Sequence, residues 1–288
     1  MTSLHTAALD VLGPSHRERV AELLAARYGA AAPEVPATWN DVLTVQLGHR
    51  AVRAYSPDPL PAGVLESAIC AAQSAASSSN LQLWSVVAVE DPDRKARLAE
   101  LAGGQAHIRQ APLLLVWIAD LARAGQIAGG RNAATGNIDY LESFLTAAVD
   151  AALAAQNAVI ALESLGLGTV YIGAMRNQPE RVAAELRLPP LAAPLFGLLV
   201  GRPDAAAPTT VKPRLGQSAV LHHETYSLDQ QNEAIRRYDA ILADYQLGQG
   251  RNPNGWTAAV VDQVSRLGAL YGRERLREAL NALGFQLK

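Results

Sequence analysis

The chain has 288 residues, 49% of them hydrophobic and 18% charged, with a formal net charge of −2. This is the composition of a soluble globular protein of one large or two small domains, and the charge argues against nucleic acid as the main partner, which usually calls for a basic face. Cys70 is the sole cysteine, so no internal disulfide is possible; the N-terminal MTSLHTAALDVLGPSHRER lacks the apolar centre of a signal peptide, and no run reads as a membrane span, so the expected location is cytoplasmic.

Residues 1–39 read as an N-terminal helical extension and linker ahead of a domain over 40–288. Residues 16–30 predict an amphipathic helix with Val20, Leu23 and Leu24 on one side, and Pro33 and Pro36 mark the linker. Asn40 and Asp41 offer N-cap groups to a helix through Leu43, Val45 and Leu47. His49, Arg50 and Arg53 then lie within five positions. The plain reading of that spacing is a solvated basic turn. The sharper one is an anion site, with the two arginines close together on a helical turn and their planar forks suited to phosphate.

Pro61 opens a helix whose apolar face is Val64, Leu65, Ala68, Ile69 and Ala72, with Cys70 assigned to the core. The following Ser77, Ser78, Ser79 and Asn80 form a loop that could offer hydroxyls and N–H groups to a ligand. Residues 83–89 predict a strand, 91–101 a helix, 103–105 a turn and 113–118 a central strand. Residues 123–137, rich in Gly and Ala, read either as a mobile cover or as an ordinary loop. Residues 147–165 predict a helix that is apolar on nearly every face, broken only by Asp150, Gln156 and Asn157, and so packed on its own core and on a partner. Gly166 ends it, Thr169–Ile172 is a buried strand, and Gly173 lets backbone approach a ligand. A helix over 179–186, a core strand over 195–200 and an irregular loop ending in Lys212, Pro213 and Arg214 follow. Helices at roughly 230–247 and 257–283 flank a loop with Gly248, Gly250, Pro253 and Gly255. Strands alternating with helices place the chain in the α/β or α+β class.

Familiar chemical signatures fail. Gly166, Gly168 and Gly173 precede a strand and lack dinucleotide-fingerprint spacing; there is no P-loop and no nucleophile elbow. His222, His223 and Glu224 have no further ligands at metal-site spacing. The chemistry is therefore expected from a bound cofactor, and the scattered basic residues suggest one that carries phosphate.

The order and joint occurrence of HRAVRAY at 49–55, SSSNLQ at 77–82, GGQAHI at 103–108, AAQNAVIALESLGLGTVYIGAMRN at 154–177, PLFGLLVGRP at 194–203 and KPRL at 212–215 are specific. From residue 40 onward the chain resembles the FMN-dependent nitroreductase family, in its oxygen-insensitive NADPH nitroreductase and flavin reductase branch. The resemblance implies an α+β fold with a mixed sheet flanked by helices. It also implies a homodimer with two FMN sites shared between subunits, and NADPH as co-substrate. Carried over by motif, His49, Arg50, Lys212 and Arg214 surround the FMN phosphate and ribityl chain. Arg53 stands at the pyrimidine edge, where it stabilises the charge of the reduced flavin. Ser77, Ser78 and Ser79 contact flavin from the partner subunit. Gln105 contacts ring or ribityl chain, and Tyr171, Ile172, Gly173 and Ala174 lie beside the ring. Arg176, Arg251 and Arg273 are assigned to NADPH or substrate. Ala51 replaces a usual Ser and Ala174 a common Gly, which removes one hydroxyl and adds one methyl near the flavin. The implied activity is ping-pong hydride transfer to nitroaromatics, quinones or related small acceptors. A dedicated flavin reductase and a flavin carrier or sensor with little turnover remain as alternatives, with no metal, nucleic acid or membrane partner.

Overall fold

The structure, a computed structural model, describes residues 14–288. The first thirteen residues of the expected extension, and most of the stretch read for a signal peptide, lie outside them. In chain order the helices are α1 (Pro14–Tyr28), α2 (Asp41–Leu47), α3 (Val64–Gln73), α4 (Pro92–Leu101), α5 (Ala106–Gln110), α6 (Ala122–Gly129), α7 (Leu141–Ser164), α8 (Pro179–Glu185), α9 (Asn232–Gly248), α10 (Thr257–Ser265) and α11 (Leu276–Ala282). The strands are β1 (Trp84–Val89), β2 (Leu113–Asp120), β3 (Gly168–Ile172) and β4 (Ala192–Gly201). The chain divides into two compact units. One joins the residues up to Arg50 to Thr210–Ala269, and the other joins Ala51–Thr209 to Leu270–Lys288.

The second unit is built on the sheet, in the order β1-β2-β4-β3 with every named pair antiparallel. The parallel component of the expected mixed sheet is the isolated bridge between Ala51 and Thr169. Strand β2 is central and buried along nearly its whole length, as its continuous apolar run requires. Alternate residues feed two cores: Leu113, Leu115, Trp117, Leu198 and Val200 pack with α3 and α7, while Leu114, Val116, Leu199, Val170 and Ile172 pack on the α4 side. Two glycines let the segment after Arg50 lie flat on this sheet. A Cβ at Gly168 would fall 2.6 Å from Val52, and one at Gly201 would fall 2.5 Å from Tyr55. This segment is extended, with the Val52 N–H donating to the Thr169 carbonyl, so Arg50 and Arg53 do not share the expected helical turn.

Helix α7 is long and apolar enough to cross a bilayer by composition, yet Ala147, Asp150, Ala151, Ala154, Ala155, Ala158, Val159 and Leu162 are buried in the chain's own core. Its other face carries exposed Leu141, Leu145, Val149 and Leu153. Gly166, at φ 76°, closes the helix in the left-handed conformation expected of its cap. The C-terminal segment clasps the same unit. The Leu191 N–H donates to the Leu283 carbonyl, Phe285 meets Phe144 edge-on, Arg275 pairs with Glu180 and Lys288 with Asp139.

Three further expectations need correction. Cys70 is exposed, because the buried stripe of α3 is Val64, Ala68 and Ala72 and position 70 points away from it. The 123–137 segment is not all loop: its first half is α6, where Ala122, Ala124, Gln126 and Ala128 outweigh the internal Gly125 and Gly129. The 257–283 helix is two helices, broken where Gly268, Tyr271 and Gly272 all take positive φ.

The first unit gathers α1, α2, α9 and α10. Val20 and Leu24 of α1 bury against Trp39, with Tyr28, Val35 and Leu47 around them. Asn40 caps α2 by accepting the Leu43 N–H at 3.0 Å. At Gly29, with φ 55°, a Cβ would fall 2.9 Å from Ile241, so α9 approaches the end of α1 closely.

Candidate functional site

In the first unit, two segments far apart in sequence converge. The Arg27 guanidinium donates to the carbonyls of Leu47 and His49 at 2.8 and 2.7 Å, and to that of Lys212 at 2.7 Å. The Arg214 N–H donates to the Arg27 carbonyl at 2.8 Å, and the Tyr238 hydroxyl donates to the Pro213 carbonyl at 3.0 Å. His49 and Arg50 are thereby brought to the same locality as Lys212 and Arg214. The side chains of Arg50, Lys212 and Arg214 are exposed, which suits an anion that arrives from solution. Arg251 is also exposed, in a loop held at its far end. There Asp239 accepts from the N–H groups of Trp256 and Thr257, both at 2.7 Å, and from the Thr257 hydroxyl, while Gln246 accepts from the Gly255 N–H. These bonds, led by the Thr257 N–H, hold the Asp239 carboxyl below the ordinary range.

In the second unit, the end of β3 opens on a cavity of about 390 Å³ lined by Ala152, Gln156, Tyr171, Gly173, Arg176 and Phe196. The Tyr171 ring stands edge-on to Phe196, 5.3 Å away. Ile172 and the Met175 beyond Gly173 are buried and anchor the turn, and Ala174 packs on the same core. A Cβ on Gly173 would meet Arg176 at 3.5 Å and Arg273 at 3.8 Å, so two guanidinium groups face the same position. Burial, and then the charge of Arg273, makes the Arg176 guanidinium less basic than usual, and Arg176 donates to the Leu195 carbonyl. Arg53 is exposed and makes no ion pair among the described residues. Gln105, at the start of α5, donates to the Ala102 carbonyl after a turn in which Gly103 and Gly104 have φ 82° and 75°. His107 has a buried Nε2 without a hydrogen-bond partner, and burial together with the charge of Arg53 lowers its basicity.

The serine loop is ordered by a residue that the sequence reading noted only as a break in α7. Buried Asp150 accepts from the Ser77 hydroxyl at 2.6 Å, the Ser78 N–H at 3.1 Å and the Leu83 N–H at 3.2 Å. Ser77 is thus committed inside the chain, while Ser78 and Ser79 are exposed. Ser79, Asn80 and Gln82 take φ values of 49°, 54° and 52°, a conformation unfavourable to L side chains that the Asp150 clamp helps to hold. Asp150 was findable as the one carboxylate within a buried stretch of helix. Arg27 gave no such signal, since a basic residue in a last helical turn usually only complements the helix dipole.

Residues 47–202 match the Nitroreductase family, and residues 212–288 match the Nitroreductase family, C-terminal domain. The chain belongs to the nitroreductase family. Among nitroreductase-family relatives, it is 39% identical over 253 residues to an FMN reductase [NAD(P)H] of Bacillus subtilis, covering 86% of this chain and 99% of the relative. It is 40% identical over 212 residues to an oxygen-insensitive NADPH nitroreductase of Salmonella typhimurium, covering 73% and 85%. Of solved structures, B. megaterium NfrA2 superposes with a TM-score of 0.81 at 38% identity, over 87% of this chain and all of that one.

Proposed function

We propose that this chain is an FMN-dependent NAD(P)H oxidoreductase that reduces small-molecule acceptors such as nitroaromatics and quinones, working as a cytoplasmic homodimer. What carries the reading is family membership through both the N- and C-terminal family regions, with relatives named as FMN reductase and NADPH nitroreductase at 39% and 40% identity.

The residues present fit FMN. The phosphate would be held by His49, Arg50, Lys212 and Arg214, a donor set suited to a dianion. The ring would lie beside Tyr171, Ile172, Gly173 and Ala174. The protein itself does not require glycine at 173: the φ there is not left-handed and a Cβ would meet nothing closer than 3.5 Å. A bound ring supplies the missing reason for the glycine. Bound FMN supplies hydride transfer between NAD(P)H and the acceptor.

The protein's own contributions are electrostatic and steric. Arg53 would present a cation to the pyrimidine edge of a bound flavin, stabilising its reduced form, and Gln105 would add a polar contact. Arg176 and Arg273, which both face the position of Gly173, would attract the anionic groups of nucleotide or acceptor. Arg251 is assigned to the 2′-phosphate of NADPH. In the 77–79 loop, exposed Ser78 and Ser79 would be offered to the partner subunit's flavin, while Ser77, bonded to Asp150, holds the loop in place. Leu141, Leu145, Val149 and Leu153 form an apolar face that a second copy would cover.

Flavin reductase activity, supplying reduced flavin to another enzyme, is the second reading, favoured by the name of the Bacillus subtilis relative. Denaturation should release one FMN per chain, and light scattering should give about twice the 30.5 kDa of one chain. NADPH should bleach the bound flavin, and steady-state rates against nitroaromatics, quinones and free FMN then rank the acceptors. Failure to bind FMN, or a flavin that NADPH leaves oxidised, overturns the enzymatic reading.

A further inference from the structure

The N-terminal helix α1 precedes the family match, which begins at residue 47, yet it supplies the group on which the basic cluster is assembled. We infer that Arg27 is a positioning residue for the phosphate of the bound flavin: it fixes the backbone from which His49, Arg50, Lys212 and Arg214 project. The inference rests on the phosphate assignment made above.

Three observations support it. Arg27 is only 6% exposed, so its guanidinium is an interior group and not a surface charge that happens to lie nearby. Its two terminal nitrogens divide between two segments, Nη2 to the carbonyls of Leu47 and His49 and Nη1 to that of Lys212. A planar fork does this with fixed angles, whereas a lysine ammonium is a point donor. Finally, the Arg27 carbonyl accepts the Arg214 N–H, so the same residue holds the 212–214 segment through both its side chain and its backbone. Val20 and Leu24, buried on Trp39, fix the helix that carries it.

The physical consequence is pre-organisation. Four flexible donor side chains that must be gathered on binding lose rotational and loop freedom at that moment, and affinity falls accordingly; donors whose backbones are already locked together lose less. The two terminal nitrogens of Arg27 turn inward to carbonyls, so it acts through the others and not on the ligand itself.

Riboflavin has the ring and ribityl chain of FMN without the phosphate, so the ratio of the two affinities reports the phosphate site alone. Both ligands are titrated by fluorescence quenching into flavin-stripped full-length protein, for wild type, Arg27→Met, Arg27→Lys and the control Lys212→Ala. Arg27→Met should weaken FMN about tenfold or more and leave riboflavin within about twofold. Arg27→Lys, which keeps the charge but not the fork, should weaken FMN by about threefold or more. If Arg27→Met does not fold, Arg27→Lys alone decides. An unchanged FMN-to-riboflavin ratio in the Arg27 variants, with the ratio collapsed in Lys212→Ala, overturns the role of Arg27 and leaves the phosphate site standing. An unchanged ratio in Lys212→Ala as well overturns the phosphate assignment and the inference with it. Equal weakening of both ligands in the Arg27 variants also refutes it, since that is the mark of a merely structural residue.

Discussion

Replacing Gly173 by alanine separates what the fold needs from what a ligand needs. The added methyl would stand 3.5 Å from Arg176 and 3.8 Å from Arg273, ordinary contact distances, and the backbone there is not left-handed. The native chain therefore has room for it. Alanine also narrows the unfolded ensemble, which stabilises a compatible site by about 0.4–1 kcal/mol. The flavin-stripped variant should accordingly melt at the wild-type temperature or about 1–3 °C above it. Cofactor binding should move the other way. If the ring rests against this position, a methyl forces it aside at about 1–3 kcal/mol, the usual cost of overpacking. That corresponds to roughly 5- to 150-fold weaker FMN binding. Differential scanning fluorimetry of the stripped protein and fluorescence titration with FMN give the two numbers. Unchanged FMN affinity would refute placement of the ring at Gly173. A loss of several degrees in the stripped protein would show that the fold itself required the glycine.

Asp150→Ala removes the acceptor for the Ser77 hydroxyl and for the N–H groups of Ser78 and Leu83. It should cost about 3 kcal/mol, lower the melting temperature by about 6 °C or more and speed amide exchange at Ser78 and Leu83; wild-type exchange there would count against the clamp. Arg251→Ala should raise the Michaelis constant for NADPH by about tenfold while leaving NADH nearly unchanged, and an equal loss with both nucleotides would remove Arg251 from the 2′-phosphate. Asp239 is held below the ordinary carboxylate range chiefly by the Thr257 N–H, so its contribution to stability is present above the unfolded value of about 3.9 and is lost as pH falls through the lower folded value. In urea melts, the gap between wild type and Asp239→Asn should stay constant from about pH 7 to 5 and close only below about pH 4. A gap that closes near neutrality would point to a different titrating group.

The parts of the fold legible in the sequence were those with a period or an uninterrupted apolar run. Strand β2 and helix α7 were plain for that reason, and Asn40 announced its own cap. Local composition misled where glycine was abundant: α6 hides among glycines, while Gly268 and Gly272 break what the pattern joined. Cys70 was misplaced because its residue type was weighed ahead of its helical position: Glu66, Ser67, Gln73 and Ser74, three and four positions away, mark its face as the polar one. The basic residues of the candidate site were legible as motifs, but the groups that hold them were not. Arg27 reaches Lys212 across 185 positions, and Asp150 reaches Ser77 across 73. Those partnerships depend on tertiary proximity, which no local pattern encodes.

The clasp closing the second unit bears on the order in which this chain can fold. Strands β1 to β4 and helix α7 all lie before residue 202, so their pairings are available while synthesis continues. The clasp joins Glu180 to Arg275 across 95 positions and Asp139 to Lys288 across 149, with residues 210–269 of the other unit intervening. A nascent chain can thus build its sheet early but cannot lock it until the intervening segment has emerged. Closing so long a loop is entropically slow, and until then the apolar edge that meets Phe285 stays open to other chains. Aggregation during expression should therefore respond to mutations in α11 and the residues after it more strongly than their small share of the core would suggest.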